Sequence, residues 1–309
     1  MQIPSMANTI QNVIVVGAGG TIGPVFISKL QNAGFNVSVL ARETSKATYA
    51  PSITVHRTDL SHLSLVKAFE GIDAVVSAVA TFNVSDQIAM IDAAVEAKVK
   101  RFLPSEYGGD ASLPDLENIA PFAVQKKNII EYLKTKESQG LSWTAISVGA
   151  FFDYLFGYGH GLMGFYFDDP KVQLFDQGVR PLDATTMNQV GLAVAATFQH
   201  LEETKNKRIY VKSFSVSQAQ IVDTFEKLSD KKFRRTDGSV KELIAVGKKH
   251  IEEGNWDLGY PESVTAALYS DTGFGYSSGR ASEWNKTLGL PEESLEICAK
   301  EILQSKGWI

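Results

Sequence analysis

Cysteine is nearly missing from this chain: Cys298 is the one thiol in 309 residues. An intramolecular disulfide is therefore excluded, and so is a metal centre built on cysteines. The five histidines (His56, His62, His160, His200 and His250) form no ligand spacing, and no His-Glu-x-x-His stretch occurs. A Gly-x-Ser-x-Gly elbow is absent as well, which leaves serine hydrolysis without support. No apolar run is long enough to span a bilayer. No basic run offsets the formal charge of −5, so neither nucleic acid nor an anionic membrane is expected as a main partner. Residues 1–9 lack a basic region followed by an apolar core, so a secretory signal is not expected. Repeats and low-complexity tracts are missing too. A cytoplasmic location is expected for such a globular chain, 44% hydrophobic and 21% charged and long enough for one large or two coupled domains.

The informative presence is glycine near the start. Val13-Ile14-Val15-Val16 runs directly into Gly17-Ala18-Gly19-Gly20-Thr21-Ile22-Gly23, and a helical pattern (Pro24, Val25, Phe26, Ile27, Leu30) follows. In a strand–turn–helix setting, glycines bring a helix N-terminus close to a pyrophosphate. Gly17 is expected to make the tight turn, Gly20 to admit the phosphate and Gly23 to pack helix against strand. Gly19, Thr21 and Ile22 complete the candidate phosphate loop, whose unpaired N–H groups and positive helix end favour an anion.

A second strand, Phe35–Ala41, ends at Arg42, 19 residues past Gly23. An NAD site usually has an acidic residue here for the ribose 2′-hydroxyl. Arg42 suits a 2′-phosphate instead, with Lys46 as a second positive charge, so NADP (NADPH) is the expected cofactor.

Apolar strands continue to alternate with helical patterns at Ile53–His56, Ala74–Val79, Arg101–Pro104 and Leu141–Val148. The expected fold class is therefore α/β, a doubly wound parallel Rossmann sheet. Residues 1–155 are assigned to it, joined by a returning helix and strand near 185–212. Residues 156–309 are expected to form a smaller, mostly helical substrate-binding region lying as a lid over the strand ends. The segment from Phe151 to Gly161, dense in aromatics and glycine, suits a pocket wall or hinge and equally a packed aromatic cluster.

Ala78 and Val79 are small residues where a cofactor crosses the sheet, and Ser105 and Glu106 directly follow a buried strand. The next helix carries Lys126 and Lys127 near its start. A crevice-facing lysine there would be partly desolvated and close to the helix's positive end, and both effects lower its pKa. That makes a usable proton donor, while a solvated lysine pair is the plainer alternative. Tyr132 and Lys136 have the Tyr-xxx-Lys spacing of ordinary short-chain dehydrogenases, but the lysine sits in a charged helix end.

Gly17–Gly23, Arg42-Glu43 and above all Phe102-Leu103-Pro104-Ser105-Glu106-Tyr107-Gly108 resemble the isoflavone reductase-like enzymes, atypical short-chain dehydrogenases of the NmrA-like superfamily. Trp143–Ser147 and Gly149–Asp153 are similar to fungal members especially. The resemblance implies NADPH, a Rossmann domain with a smaller substrate domain, and hydride transfer to a small aromatic, enone or polyketide-like metabolite. It also implies a lysine in place of the tyrosine-based site. Lys126 best matches that lysine, with Lys127 the alternative register. Phe151 matches the family's pocket phenylalanine, although plant reductases usually carry Asn before it, where this chain has Ala150. Some NmrA-like relatives bind the dinucleotide without catalysis, so a redox sensor is the rival reading. A net non-redox isomerase is a third.

Overall fold

The structure is a computed structural model and describes residues 9–157 and 161–309. The chain divides into two compact units. The first comprises residues 1–106, 125–146 and 191–209, and the second residues 107–124, 147–190 and 210–309.

The first unit contains a seven-stranded sheet. Its strands are β1 (Asn12–Val16), β2 (Asn36–Arg42), β3 (Thr54–Thr58), β4 (Ala74–Ser77), β5 (Arg101–Leu103), β6 (Ser142–Ser147) and β7 (Lys207–Tyr210). Their order is β7-β6-β5-β4-β1-β2-β3, and the pairs from β3 through β6 are parallel. The strands are the predicted apolar runs, with ends differing by one or two residues. The run to Val79 stops at Ser77, and the run to Pro104 stops at Leu103, before a residue that has no N–H to donate. The Asp73 carboxylate accepts from the Gln11 and Asn12 amides at 2.9 Å each, joining the entrances of β1 and β4.

Helices α1 (Gly23–Asn32), α2 (His62–Phe69), α3 (Gln87–Glu96), α4 (Phe122–Lys136) and α5 (Met187–Gln199) intervene between the strands. α1 buries Phe26 and Leu30, four residues apart on one face. In α2 the Ser61 side chain accepts the Ser64 amide and caps the helix. One apolar core joins Ile14 and Val75 of the sheet to Phe69, Ile91, Ile129 and Leu133. Arg101 is buried within this unit, where it donates to Ser142 Oγ, Thr144 Oγ1, Thr204 Oγ1 and the Leu201 carbonyl at 2.7–3.1 Å. Burial pulls its guanidinium down to about 10, still protonated at neutral pH.

The second unit holds helices at Gln218–Ser229, Val240–Glu252, Trp256–Tyr269, Arg280–Thr287 and Leu295–Ser305. The helices expected there are accompanied by two three-stranded sheets. Pro181–Thr185 is the middle strand of one, between Ala150–Phe151 and Phe214–Ser217; Lys171–Phe175 is the middle strand of the other, between Phe165–Tyr166 and Arg234–Gly238. The helix Trp256–Tyr269 contains Pro261. Among the described residues, no helix is long and apolar enough to cross a membrane.

Gly23 shows how tightly the first turn is built. A Cβ there would lie 2.4 Å from the Ala18 carbonyl oxygen and 2.5 Å from its carbon. Neither backbone atom can give way alone, so Gly23→Ala is expected to destabilise the protein by about 1–3 kcal/mol, as overpacking does. Thermal unfolding followed by circular dichroism should show a lower midpoint, by roughly 2–4 °C per kcal/mol. A variant melting with the wild type would contradict this packing.

Candidate functional site

The strand order reverses between β1 and β4: β2 and β3 lie on one side, β5 and β6 on the other. Open parallel sheets bind ligands beyond the carboxyl ends of their strands at such a reversal. There the turn after β1 meets the chain leaving β4. Gly17 has φ +76°, and a Cβ on it would lie 2.4 Å from the Ala78 carbonyl oxygen. The Gly20 amide donates to the Gly17 carbonyl at 3.0 Å, closing the turn. Gly19, Gly20 and Thr21 are exposed at the mouth of α1, with Ile22 as N-cap. At Gly20 an added Cβ would meet one atom, the Gly17 oxygen, at 3.2 Å. The first amides of a helix have no intrahelical acceptor, and Pro24 at the second position carries none to satisfy. This open backbone beside a helix N-terminus fits a pyrophosphate.

Arg42 ends β2 with its side chain exposed, and Lys46 is exposed in the following loop. Arg57, which sequence reasoning missed, braces this turn from β3. Its Nη1 donates to the Ser45 carbonyl at 2.8 Å and to the Arg42 carbonyl at 3.3 Å. The only sequence signal for it was a charged residue in a strand beside Arg42. The Ser45 amide also bonds back to the Arg42 carbonyl at 2.9 Å, and Ala47 comes so near the glycine loop that a Cβ on Gly19 would lie 2.7 Å from its methyl. The loop bearing Lys46 is therefore folded against the phosphate loop, with Arg42, Lys46 and Arg57 gathered at the end of β2.

Ala78 and Val79 are half-buried just past β4, and the Ala78 amide donates to the Val16 carbonyl at 2.8 Å. Ser105 serves this segment directly. Its hydroxyl donates to the Val79 carbonyl at 2.8 Å, and its amide donates to Gln87 Oε1 at 2.8 Å. Buried Gln87 thus ties the start of α3 to the turn after β5, a role its sequence neighbourhood did not announce.

Lys126 is 8% exposed and lies in α4 on the face of Ile129, Ile130 and Leu133, three, four and seven residues on. Lys127 is exposed. Burial pulls the Lys126 ammonium below its usual range, Glu106 opposes that shift and Arg208 adds to it. Glu106 is itself 1% exposed and accepts from Arg208 Nη2 at 2.6 Å. Arg208, on β7, has no sequence signature connecting it to this place. Tyr132 and Lys136 are engaged elsewhere. Both meet Asp92 of α3 at 2.7 Å, and the Lys136 ammonium stands 4.5 Å from the centre of the Tyr132 ring. That arrangement joins two helices and leaves the tyrosine hydroxyl occupied.

Phe151 belongs to the second unit, in a short strand paired with Pro181–Thr185, and is half-buried against that unit's core. The aromatic segment after it builds that core. Phe152 and Phe156 lie edge-to-face at 5.0 Å, and Phe156 also meets Phe165 and Phe225. The expected pocket wall is thus, for these two rings, a packed cluster. Tyr158, Gly159 and His160 of the same segment lie outside the described residues.

The model of the NmrA-like family matches residues 9–270. Oxidoreductase aprR of Aspergillus flavus is 34% identical over 298 residues, covering 94% of this chain and 98% of that protein. Isoflavone reductase homolog P3 of Arabidopsis thaliana is 28% identical over 292 residues, covering 85% and 88%. The solved structure of AtPrR2 with NADP+ and (+)pinoresinol shares the fold at a TM-score of 0.73 and 23% identity, over 96% of this chain and all of that one. With a family match across most of its length and a similar protein at 34% identity, the chain belongs to the NmrA-like family.

Proposed function

We propose that this protein reduces a small aromatic, enone or polyketide-like metabolite with NADPH, and that Lys126 donates the accompanying proton. It is an NADPH-dependent oxidoreductase, in keeping with relatives named as oxidoreductases and with neighbours of the same fold solved with NADP+. The observation that carries the finer reading is the buried Lys126, its ammonium disfavoured by burial.

When bound, NADPH supplies the hydride. The backbone of Gly19, Gly20, Thr21 and Ile22 would hold the pyrophosphate, while Arg42 and Lys46, on a turn braced by Arg57, would hold the 2′-phosphate. Ala78 and Val79 admit the nucleotide close to the sheet, with Ser105 fixing that backbone. Lys126 would give its ammonium proton to the acceptor oxygen or carbon that gains negative charge in the reduction. A lysine whose pKa is lowered by burial is a better acid than a solvated one, and a positioned acid contributes typically about 10²–10⁴-fold.

Two outcomes are expected. In fluorescence titrations, wild type should bind NADPH more tightly than NADH. Arg42→Ala should lose about tenfold or more for NADPH, the size of one charge-assisted hydrogen bond, and leave NADH nearly unchanged. Arg57→Ala should weaken NADPH binding less. Equal affinities for the two cofactors in wild type would remove the role given to Arg42.

In turnover assays on one accepted enone, Lys126→Ala should retain NADPH binding and lose about 10²–10⁴-fold in kcat. Lys127→Ala and Tyr132→Phe should stay close to wild type, since one side chain faces solvent and the other bonds Asp92. An inactive Lys127→Ala beside an active Lys126→Ala would transfer the role by one residue. If no compound in an enone and aromatic ketone panel consumes NADPH, a non-catalytic sensor becomes the better reading.

A further inference from the structure

The chain leaving β2 comes back to the phosphate loop through two side chains. One is Ala47, whose methyl is 2.7 Å from the point where a Cβ on Gly19 would lie. The other is Tyr49, whose hydroxyl oxygen stands 3.4 Å from that same point. The phenol thus ends against bare main chain, at an exposed residue with no side chain of its own. The loop is fixed on both sides of the tyrosine. Before it, Arg57 donates to the Ser45 carbonyl at 2.8 Å and the Ala47 amide donates to Ser45 Oγ at 3.3 Å. After it, the Ile53 amide donates to the Ala50 carbonyl at 2.9 Å. Tyr49 is half-buried, and among the described residues its hydroxyl has no hydrogen-bond partner. Covering the glycine loop needs only the ring. The hydroxyl adds a donor at the edge of an anion site.

We propose that Tyr49 is a further cofactor-binding residue, its hydroxyl donating to the 2′-phosphate of NADPH between Gly19 on one side and Arg42 with Lys46 on the other. The inference rests on the reading that places this phosphate at the end of β2. A phosphate monoester carries about −1.5 to −2 charges at pH 7 and three strong acceptor oxygens, so a guanidinium and an ammonium leave room for a third donor. Among the described residues neither Arg42 nor Lys46 has its charged group in an ion pair, so both stand ready for an anion. Tyr49 adds direction where the two long cations add charge, because a ring set by two torsions loses little freedom on binding. NADH offers a neutral hydroxyl at this place, and a hydrogen bond to it is weaker than one to a charged oxygen. The tyrosine therefore adds to the preference for the phosphorylated cofactor.

Calorimetric titration separates the hydroxyl from the ring. Tyr49→Phe keeps the ring and its packing, and circular dichroism should show a wild-type fold. It should weaken NADPH binding about tenfold, the size of one hydrogen bond to a charged group, and change NADH binding by less than about twofold. Two fragments that carry no nicotinamide should divide in the same way. Adenosine 2′,5′-bisphosphate loses the same factor as NADPH, and adenosine 5′-monophosphate does not. Tyr49→Ala should lose at least as much for the bisphosphate as Tyr49→Phe. Equal losses for NADPH and NADH in Tyr49→Phe would put the hydroxyl on the pyrophosphate and overturn the proposal. Unchanged NADPH affinity in Tyr49→Phe would overturn it as well, leaving the tyrosine a cover for the loop whatever Tyr49→Ala does. A wild type that binds both cofactors equally sinks the underlying reading together with the proposal. A preference lost in Arg42→Ala but kept in Tyr49→Phe sinks the proposal alone.

Discussion

The contact between the turn after β1 and the end of β4 governs the arrangement of the first unit's binding edge. At Gly17 the two backbones stand so close that a single methyl group would fall 2.4 Å from a carbonyl oxygen. Backbone meets backbone there with no side chain between, and the Ala78 amide bonds the last carbonyl of β1. This draws the phosphate loop, the chain leaving β4 and, through Ser105 and Gln87, the turn after β5 into one connected layer of main chain. A ligand lying across that layer meets backbone amides and carbonyls, which keep their positions better than long side chains do.

Buried charge is handled in two ways within the same unit. Arg101 is surrounded by four neutral oxygen acceptors that replace much of its lost hydration, so it remains a cation and fastens β5 to β6 and to the stretch after α5. Lys126 is buried too, and burial pulls its ammonium below its usual range while Glu106 opposes that shift and Arg208 adds to it.

The sheet was legible because its strands are short apolar runs bounded by glycines and charged helices, and because parallel crossovers leave few topologies. The register of α4 was legible in part. Ile129, Ile130 and Leu133 mark the face that carries Lys126, yet adjacent Lys127 matches the family pattern almost as well until burial is seen. Other features had no local signature. Arg234–Gly238 consists of Arg-Arg-Thr-Asp-Gly, with no apolar alternation, and becomes a strand by pairing with Lys171–Phe175 more than sixty residues earlier. The Arg208–Glu106 pair spans a still longer separation. Gln87 and Arg57 look like surface residues in the sequence, and their hydrogen bonds to distant backbone appear only in the fold.

The division of the chain into units has a consequence for how the protein is made. The polypeptide passes from one unit to the other five times before it ends. When the first 106 residues have been synthesised, five strands of the large sheet exist, but β6 and β7 have not yet been added. The β5 edge, with Glu106 beside it, must wait about another hundred residues for Arg208. At synthesis rates of roughly 5–20 residues per second, that interval lasts about 5–20 s. Through it, the nascent sheet presents an open strand edge and a carboxylate without its arginine, exposed to other chains and to chaperones. The long-range pairing of Arg208 with Glu106 thus becomes possible only when about two thirds of the chain has been made.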